Sequence, residues 1–361
     1  MRNDGLRPKC KMKNGLSHSR WQAFLICHLF FSPLTPHLLP FISYLSPLTS
    51  HISYSSASAQ TLVELNCENL FDCRHDSLKQ DAEWLPGGQR RWSPARYWRK
   101  LNHIAQEILS CREEGIPDLV ALVEVENDTV LFDLTRRSLL RGAGYDYLMT
   151  ESPDVRGIDV ALLYHPFTFR PLCYDYLSVV PHEDMRPTRD ILYVCGETLN
   201  RDTLHVFVVH APSRYGGERQ TRPSRRLVAE RLVQAAELLP PQAKLIVAGD
   251  FNDNADSPAL RYLSDYGLHN VTASAQGTHG AQGTYRYEGR WQSIDHIFVS
   301  NALLDAVASA VINDAPFLLE EDKTYGGVKP YRTYVGYRYQ PGFSDHLPLV
   351  VRLEQKKRQE E

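Results

Sequence analysis

The sequence has few cysteine residues, and none of them stand in CxxC spacing. Outside the first 59 residues there are five, an odd number: Cys67, Cys73, Cys111, Cys173 and Cys195. Zinc sites and disulfide frameworks rely on closely spaced or paired cysteines. This composition therefore excludes a structural zinc site and a complete disulfide framework. It leaves open whether any of the five form a disulfide.

No stretch is apolar over the roughly 20 residues that a membrane-spanning helix needs. The best candidate begins at Trp21, and His28 and Pro33 interrupt it. It follows a basic segment and precedes a small-x-small site that ends at Ala59, features typical of a secretory signal. We therefore expect residues 1–59 to be a leader cleaved near Ala59 and the rest to be secreted or periplasmic, with Met12 as an alternative start. A membrane anchor or a disordered tail is the competing interpretation.

Basic residues are not in excess either. Residues 1–59 contain six of the 40 lysines and arginines and one of the 43 acidic residues, so the remainder has 34 basic and 42 acidic side chains and a formal charge of −8. Proteins that hold nucleic acid mainly through counterion release are basic. Either a polyanionic substrate is recruited through a bound metal ion and local arginines, or the substrate is smaller.

What the sequence does have is a series of strand-length apolar runs with helical segments between them. The runs cover residues 61–66, 119–125, 160–164, 191–195, 204–209, 245–248, 294–299 and 347–353. Helical periodicity covers 96–111, and an amphipathic segment covers 224–239. Buried strands interspersed with helices predict a layered α/β protein with mixed β-sheets. Because no linker interrupts these runs, we expect one large domain over residues 60–361.

Polar residues follow several of the apolar runs directly. The run that ends at Ala248 continues into Gly249, Asp250 and, two residues later, Asn252. Strand ends are where α/β sheets bind ligands, and carboxylate and amide oxygens suit Mg²⁺. The alternative is an ordinary turn, in which Gly and Asp are also common.

Two Asp-His pairs also lie at strand ends. Asp345 and His346 precede the last apolar run. Asp295 and His296 lie at the start of the run before it and precede residues 297–299. A histidine that a carboxylate orients can transfer protons near neutral pH, so His346 with Asp295 is a candidate catalytic pair. A structural histidine is the alternative.

Three further runs end in candidate residues. His210 and the loop residue Arg214 could protonate a leaving oxygen and bind phosphate oxygens, respectively. Glu124 ends a fully apolar run, where an unpaired carboxylate is costly, so metal binding is favoured. Asn66 ends the first run. Arg156 is a candidate substrate contact, and a buried salt bridge with Asp159 is the alternative.

Taken in order, these motifs resemble the endonuclease/exonuclease/phosphatase superfamily. The resemblance covers about residues 61–353 and is carried by Asn66, Glu124, His210, Asp250, Asn252, Asp295, Asp345 and His346. Each motif is short, but six in this order make a specific signal. The resemblance implies a four-layer α/β sandwich of two packed mixed β-sheets flanked by helices, with the site where both sheets present their strand ends.

The resemblance also implies a role for each residue. Asn66, Glu124 and Asp345 are the expected ligands of Mg²⁺, for which Mn²⁺ can substitute. Asp250 and Asn252 are expected to align the attacking water, while His346, oriented by Asp295, acts at the scissile phosphate. The implied reaction is in-line attack of water on a phosphoester, with His210 as a proton donor to the leaving group. Whether Asp250 or His346 is the general base stays open.

Two segments bear on the substrate. Basic residues between Arg90 and Lys100, with Trp92, Tyr97 and Trp98 for base stacking, favour a nuclease acting on DNA or RNA. The alternative is the solvated start of a helix.

The second segment, residues 324–338, is rich in Tyr and Gly and contains Lys329 and Tyr334, two candidate substrate-binding residues. We expect it to form a loop or hairpin over the site. The alternative substrates are inositol phosphates, lipid headgroups of the sphingomyelinase type or other small phosphoesters. We expect a monomer. A binding module without activity is disfavoured because Glu124, Asp250 and His346 are all present.

Overall fold

The computed structural model describes residues 59–182 and 185–354. Residues 1–58 of the predicted leader lie outside the described residues, and so do residues 355–361. Within the described ranges, no helix is both long and apolar enough to cross a membrane.

Eighteen strands and five α-helices make up this part of the chain. In order they are β1 (Gln60–Leu70), α1 (Pro94–Leu109), β2 (Leu119–Val125), α2 (Asp128–Arg136), β3 (Asp146–Met149), β4 (Asp159–Tyr164), β5 (Phe169–Leu177), β6 (Ile191–Thr198), β7 (Thr203–His210), α3 (Glu218–Ala236), β8 (Lys244–Asp250), α4 (Pro258–Asp265), β9 (His269–Asn270), β10 (Tyr285–Tyr287), β11 (Arg290–Gln292), β12 (Asp295–Val299), α5 (Asn301–Leu304), β13 (Val307–Ile312), β14 (Leu319–Glu321), β15 (Val328–Pro330), β16 (Tyr334–Val335), β17 (Arg338–Tyr339) and β18 (Leu349–Leu353).

Two six-stranded sheets contain most of the strands. The first has the order β13-β18-β1-β2-β4-β3, and the second has the order β5-β6-β7-β8-β12-β9. The pairs β1–β2 and β7–β8 are parallel, while the other pairs are antiparallel. Both sheets are therefore mixed, as the sequence predicted.

Alternation along the strands divides the apolar side chains into three layers of core. In β1, Leu62 faces the second sheet, whereas Val63 and Leu65 face α1 and α2. The second sheet shares its inner face with the first and packs its outer face against α3 and α4. The order of layers is helices, sheet, sheet, helices, which confirms the four-layer α/β sandwich.

Helix α3 differs from the prediction at its start. It begins at Glu218, whereas the sequence predicted Ser224, and Pro223 lies inside it. The buried Arg225 donates hydrogen bonds to Thr221 Oγ1 and to the Glu218 carbonyl. These bonds hold the additional turn in place despite the backbone donor that Pro223 lacks.

Three short hairpins, β10–β11, β14–β15 and β16–β17, lie outside the two large sheets. The last two contain most of the Tyr- and Gly-rich segment that was predicted to form a loop or hairpin. Tyr285 in β10 forms an isolated bridge with His346, which places the first hairpin beside the end of the chain's last motif.

Candidate active site

The register of the second sheet brings three of the predicted residues to the same level. His210 pairs with Asp250 across β7 and β8, and Asp250 pairs with Asp295 across β8 and β12. Residues in register share a face of the sheet. They lie on the same face as Val208, Ala248 and Ile297, which pack between the sheets. The three polar side chains therefore line the rim where the two sheets meet.

A bulge brings Glu124 to the same rim from the first sheet. Residue pairing between β2 and β4 shifts between Val123 and Val125, and Glu124 adopts a φ of 62°. A left-handed non-glycine residue in a strand is uncommon and often marks a functional site. Here the bulge departs from strand alternation, and the Glu124 carboxylate reaches His210.

His346 and Asp295 form a buried pair. His346 Nδ1 lies 2.8 Å from Asp295 Oδ2, and the Thr284 hydroxyl donates to the same carboxylate oxygen. Burial alone lowers the pKa of His346, but Asp295, Asp345 and Asp250 outweigh it and raise that pKa well above its ordinary value. The imidazole is therefore held in its protonated form and in one orientation.

Asp250 lies next to this pair and is held by two donors. Its Oδ1 accepts from the backbone N–H of Asn252 at 2.8 Å, and its Oδ2 accepts from Asn66 Nδ2 at 3.1 Å. Burial first, and then the charge of Asp295, raise the pKa of Asp250 to about 7. A carboxylate with this pKa can accept a proton near neutral pH.

His210 contacts both carboxylates at long range. Its Nε2 lies 3.8 Å from Glu124 Oε1 and 3.7 Å from Asp250 Oδ2, and its Nδ1 is buried with no hydrogen-bond partner among the described residues. Burial and the nearby Arg189 and Arg156 lower the pKa of His210 well below its ordinary value. His210 is therefore neutral where His346 is charged.

The donor set fits a hard divalent cation such as Mg²⁺. Glu124 Oε2 accepts from the backbone of Asn69, while Oε1 has only the long contacts to His210 and, at 4.0 Å, to Arg156 among the ion pairs described. Asn66 reaches the same rim with its Nδ2, which donates to Asp250, and its Oδ1 accepts from the Glu68 N–H. Oxygen ligands of this kind are the ones that Mg²⁺ prefers.

A second group could also hold a cation: the ligand atoms of Asp250, Asp295 and His346 lie within 4.8 Å of one another. In this group Asp295 already binds the His346 imidazole, which is the arrangement of an oriented catalytic histidine rather than that of an oxygen-rich site. The metal role of Glu124 and Asn66 stays a prediction.

Asp345 is engaged by an arginine that the sequence did not single out as part of the site. Arg332 Nη2 donates to Asp345 Oδ2 at 2.6 Å, and Arg332 Nε lies 3.5 Å from Glu68 Oε1. Despite burial, Arg332 lowers the pKa of Asp345. The predicted metal-ligand role of Asp345 stays a prediction. A metal ion bound there would share the Asp345 carboxylate with Arg332.

The four predicted substrate-binding residues lie in different places. Arg156 is half-exposed at the rim and contacts Asn69 and Glu124. Arg214 donates to the Asn252 carbonyl at 2.7 Å and to Gln292 at 2.8 Å, so it supports the Asp250 loop. Lys329 lines a separate cavity beside Asp345. Tyr334 is buried, and its hydroxyl donates to the Arg90 carbonyl.

The aromatic residues between Arg90 and Lys100 do not form a surface on which bases could stack. Trp92 and Tyr97 are buried in the core between the first sheet and its helices, and Lys100 is buried with its ammonium group on Thr333 and the Phe343 carbonyl. Of the three aromatic residues, only Trp98 is exposed. Tyr97 belongs to the apolar face of α1, and Trp92, which precedes that helix, packs against Trp84 and Tyr334, so neither ring is available for base stacking.

Three charged residues near the site, Glu64, Arg189 and Arg332, were not among the predicted site residues. Glu64 lies on the inner face of β1, and both its carboxylate oxygens lack a hydrogen-bond partner among the described residues. Burial and the nearby Asp295 and Asp250 raise its pKa well above the ordinary value. Its position two residues before Asn66, on the same face of the strand, was the signal available. For Arg189 and Arg332, which lie in irregular segments, no such signal exists.

The sequence also matches a known family. The sequence profile of the Endonuclease/Exonuclease/phosphatase family matches residues 61–355. The chain belongs to this family, whose members hydrolyse phosphoester bonds and use divalent metal ions. Among curated proteins, no sequence matched this chain.

Solved structures show the same fold at low sequence identity. An endonuclease/exonuclease/phosphatase from Bacteroides vulgatus is 17% identical, with a TM-score of 0.56 over 83% of this chain and 100% of that one. The mannosyl-6-phosphatase of Bacteroides thetaiotaomicron is 17% identical, with a TM-score of 0.53 over 81% of this chain and 98% of that one. A humanized TDP2 of D. rerio is 16% identical, with a TM-score of 0.52 over 83% of this chain and 100% of that one.

Proposed function

We propose that this chain is an exported, Mg²⁺-dependent hydrolase that cleaves phosphoester bonds by in-line attack of water. The observation that carries the proposal is the meeting of two buried histidines and a buried carboxylate at one rim of the sandwich. His346 is oriented by Asp295 at 2.8 Å, His210 lies across the rim, and Asp250 is between them. In-line displacement needs a base and charge stabilisation within reach of one phosphorus atom.

Asp250 is the group that takes the proton from the attacking water. Its pKa of about 7 leaves a substantial fraction ionised at neutral pH, and the Asn66 amide and the Asn252 N–H fix the direction of its oxygens. The raised pKa of His346 favours its protonated form, so we assign the base to Asp250 and not to His346. It donates to a phosphoryl oxygen and stabilises the charge that develops there.

His210 acts as a neutral hydrogen-bond donor to the phosphoryl group. The sequence prediction gave it the role of acid toward the leaving group, but burial lowers its pKa well below the ordinary value. A neutral imidazole has one donor and one acceptor nitrogen, so it can orient an oxygen without carrying a proton to transfer.

Glu124 and Asn66 would hold the cation, with Asp345 at the edge of the same site. When bound, Mg²⁺ or Mn²⁺ neutralises negative charge on the transferring phosphoryl group. Arg156, half-exposed next to Glu124, is placed to contact an outer phosphate oxygen.

A small phosphoester is the substrate class that the surface supports best. The chain from residue 60 onward is acidic, and two of the three aromatic residues proposed to stack bases, Trp92 and Tyr97, are buried. DNA or RNA is the second candidate, supported by the half-exposed Arg156 and the exposed Trp98. Export is supported by the composition of residues 1–59, and cell fractionation checks it. Size-exclusion chromatography checks the predicted monomer.

One assay tests the proposal. Phosphate release or strand cleavage is measured with Mg²⁺, Mn²⁺ or EDTA on sugar phosphates, inositol phosphates, sphingomyelin, plasmid DNA and RNA. Turnover that requires the cation and disappears in both Asp250→Ala and His346→Ala is the expected result. Asp202→Ala and His269→Ala serve as controls, because both residues lie at the opposite strand ends from the site: Asp202 pairs with Lys244 at the start of β8, and His269 is in register with the last residue of β12. Full activity in EDTA, or in both active-site variants, would show that the proposal is wrong.

A further inference from the structure

A cavity of about 190 Å³ lies beside the active site, on the side of Asp345. Arg332 and Asp345 contribute one wall, and the turns of the β10–β11 and β14–β15 hairpins contribute the others. The cavity lies near His346, because the turn of the β10–β11 hairpin lines the cavity and the Tyr285 ring of this hairpin packs 4.9 Å from the His346 imidazole. A cavity of about 150 Å³ is enough to hold a benzene molecule, so this one has room for a substituted six-membered ring.

The charges around this cavity balance. Three cationic side chains, Arg286, Lys329 and Arg332, face three anionic ones, Glu288, Asp322 and Asp345. Most of them already have partners of opposite charge. Arg286 lies 3.6 Å from Asp322, Arg332 binds Asp345 at 2.6 Å, and Lys329 lies 3.6 Å from Glu320.

A polyanion does not fit such a lining. A second phosphate would meet carboxylates as often as cations, and it would compete with ion pairs that are already formed. A group with many hydroxyls fits better, since each hydroxyl can donate to a carboxylate and accept from an arginine or lysine.

Two tyrosines stand at this cavity with their rings available. Tyr325 and Tyr287 are 58% and 55% exposed, respectively, although both belong to its lining. Tyr325 packs on Gly289, where an added Cβ would approach the tyrosine Cβ to 2.6 Å. The left-handed Gly289, with a φ of 75°, therefore lets the two hairpins close together and fixes the tyrosine ring at the cavity. Aromatic faces with a few polar groups are typical of binding sites for small neutral molecules.

We propose that this cavity binds the alcohol part of the substrate, and that this part is a single neutral, polyhydroxylated sugar ring. The inference rests on the proposed phosphoester hydrolysis and specifies its substrate class. The phosphoryl group lies at Asp250 and His346, and the ring attached to its ester oxygen extends past Asp345 into the cavity.

The test compares the full-length protein with its variants on two kinds of phosphate ester. The substrates are a panel of hexose 6-phosphates and ethyl phosphate, which has no ring. The measured quantity is the ratio of kcat/KM for the best hexose phosphate to that for ethyl phosphate. Tyr325→Ala is expected to lower this ratio about tenfold, chiefly through KM, which corresponds to the loss of one aromatic contact. Tyr325→Phe is expected to keep the ratio of the unmodified protein. Tyr266→Ala, which alters an exposed tyrosine directly after α4, is expected to leave the ratio unchanged.

The results separate this inference from the function on which it rests. No cation-dependent turnover of any ester would overturn the phosphoester hydrolysis itself. Turnover with a ratio near one, or a ratio that Tyr325→Ala does not change, would overturn the sugar pocket alone. Oligonucleotides or inositol polyphosphates hydrolysed with a higher kcat/KM than every hexose phosphate would also overturn it.

Discussion

Replacing Asp295 by Asn removes one charge from the centre of the site and changes its shape very little. Asp295 Oδ2 accepts from the Thr284 hydroxyl and lies 2.8 Å from His346 Nδ1. The amide oxygen of Asn can keep both contacts, so the fold should be retained. What is lost is the negative charge that makes the largest contribution to keeping His346 protonated against the effect of burial.

The rate should fall by about 10²–10⁴ in kcat/KM, the range for losing one positioned acid or base. At about 1.36 kcal/mol for each factor of ten, this is about 3 to 5 kcal/mol of transition-state stabilisation. The pH profile should also move. Without Asp295 the pKa of His346 falls, so the alkaline limb, where His346 loses its proton, shifts to lower pH.

The acidic limb shifts in the same direction. Burial and then Asp295 raise the pKa of Asp250 to about 7, so the substitution lowers the pKa of Asp250 and the base becomes ionised at lower pH. Steady-state rates from pH 5 to 10 measure both limbs. Asp314→Asn is the matched control, because Asp314 is buried and accepts from the N–H groups of Thr278 and His279. A profile that moves to higher pH, or a loss of less than about threefold, would refute the assigned roles.

Three other substitutions have expected outcomes. Glu124→Gln should raise the Mg²⁺ concentration for half-maximal activity at least about tenfold, because a neutral amide is a weaker ligand; a Mg²⁺ titration measures it, and an unchanged midpoint would contradict the metal role. Arg332→Ala should lower the free energy of unfolding by about 1 to 3 kcal/mol, because it removes the charged hydrogen bond to Asp345, whereas Glu68 keeps Lys100 at 3.7 Å. Urea denaturation measures this change, and a loss under about 0.5 kcal/mol would contradict the pairing. Glu107 is buried without hydrogen-bond partners among the described residues, and burial raises its pKa to about 8. Because the pKa of Glu107 is raised in the folded state, the folded protein should lose stability as the pH rises from about 4.5 to about 8, and Glu107→Gln should remove that loss. Denaturation at pH 5, 7 and 9 measures the free energy of unfolding of both proteins. The same dependence of this free energy on pH in both proteins would contradict the prediction.

The fold was predictable because its strands are apolar over strand length and its polar residues follow directly. Asp250, Asp295 and His346 each stand at the edge of such a run, so their meeting at one rim follows from the sandwich. The pairing of Asp250 with Asp295 was harder to predict from the sequence, because it depends on the register of two antiparallel strands that are far apart in sequence.

Other features depend on tertiary structure that local patterns do not show. Glu124 reaches the site through a bulge with a left-handed residue, and Arg332 reaches Asp345 from an irregular segment. Trp92 and Tyr97 belong to a basic segment of the sequence, yet both are buried, because Tyr97 lies on the apolar face of α1 and Trp92 packs against Trp84 and Tyr334. For residues 90–100, the basic charge of the segment therefore predicted the burial of its aromatic side chains less well than its periodicity did.

Hydrolysis in water labelled with heavy oxygen tests the central claim most directly. The protein is incubated with a hexose 6-phosphate and Mg²⁺, and the products are analysed by mass spectrometry. Attack of water at phosphorus predicts one heavy oxygen in the released phosphate and none in the alcohol, with no label incorporated by Asp250→Ala or in EDTA. Label in the alcohol, or labelled phosphate formed equally fast without the cation, would contradict the account.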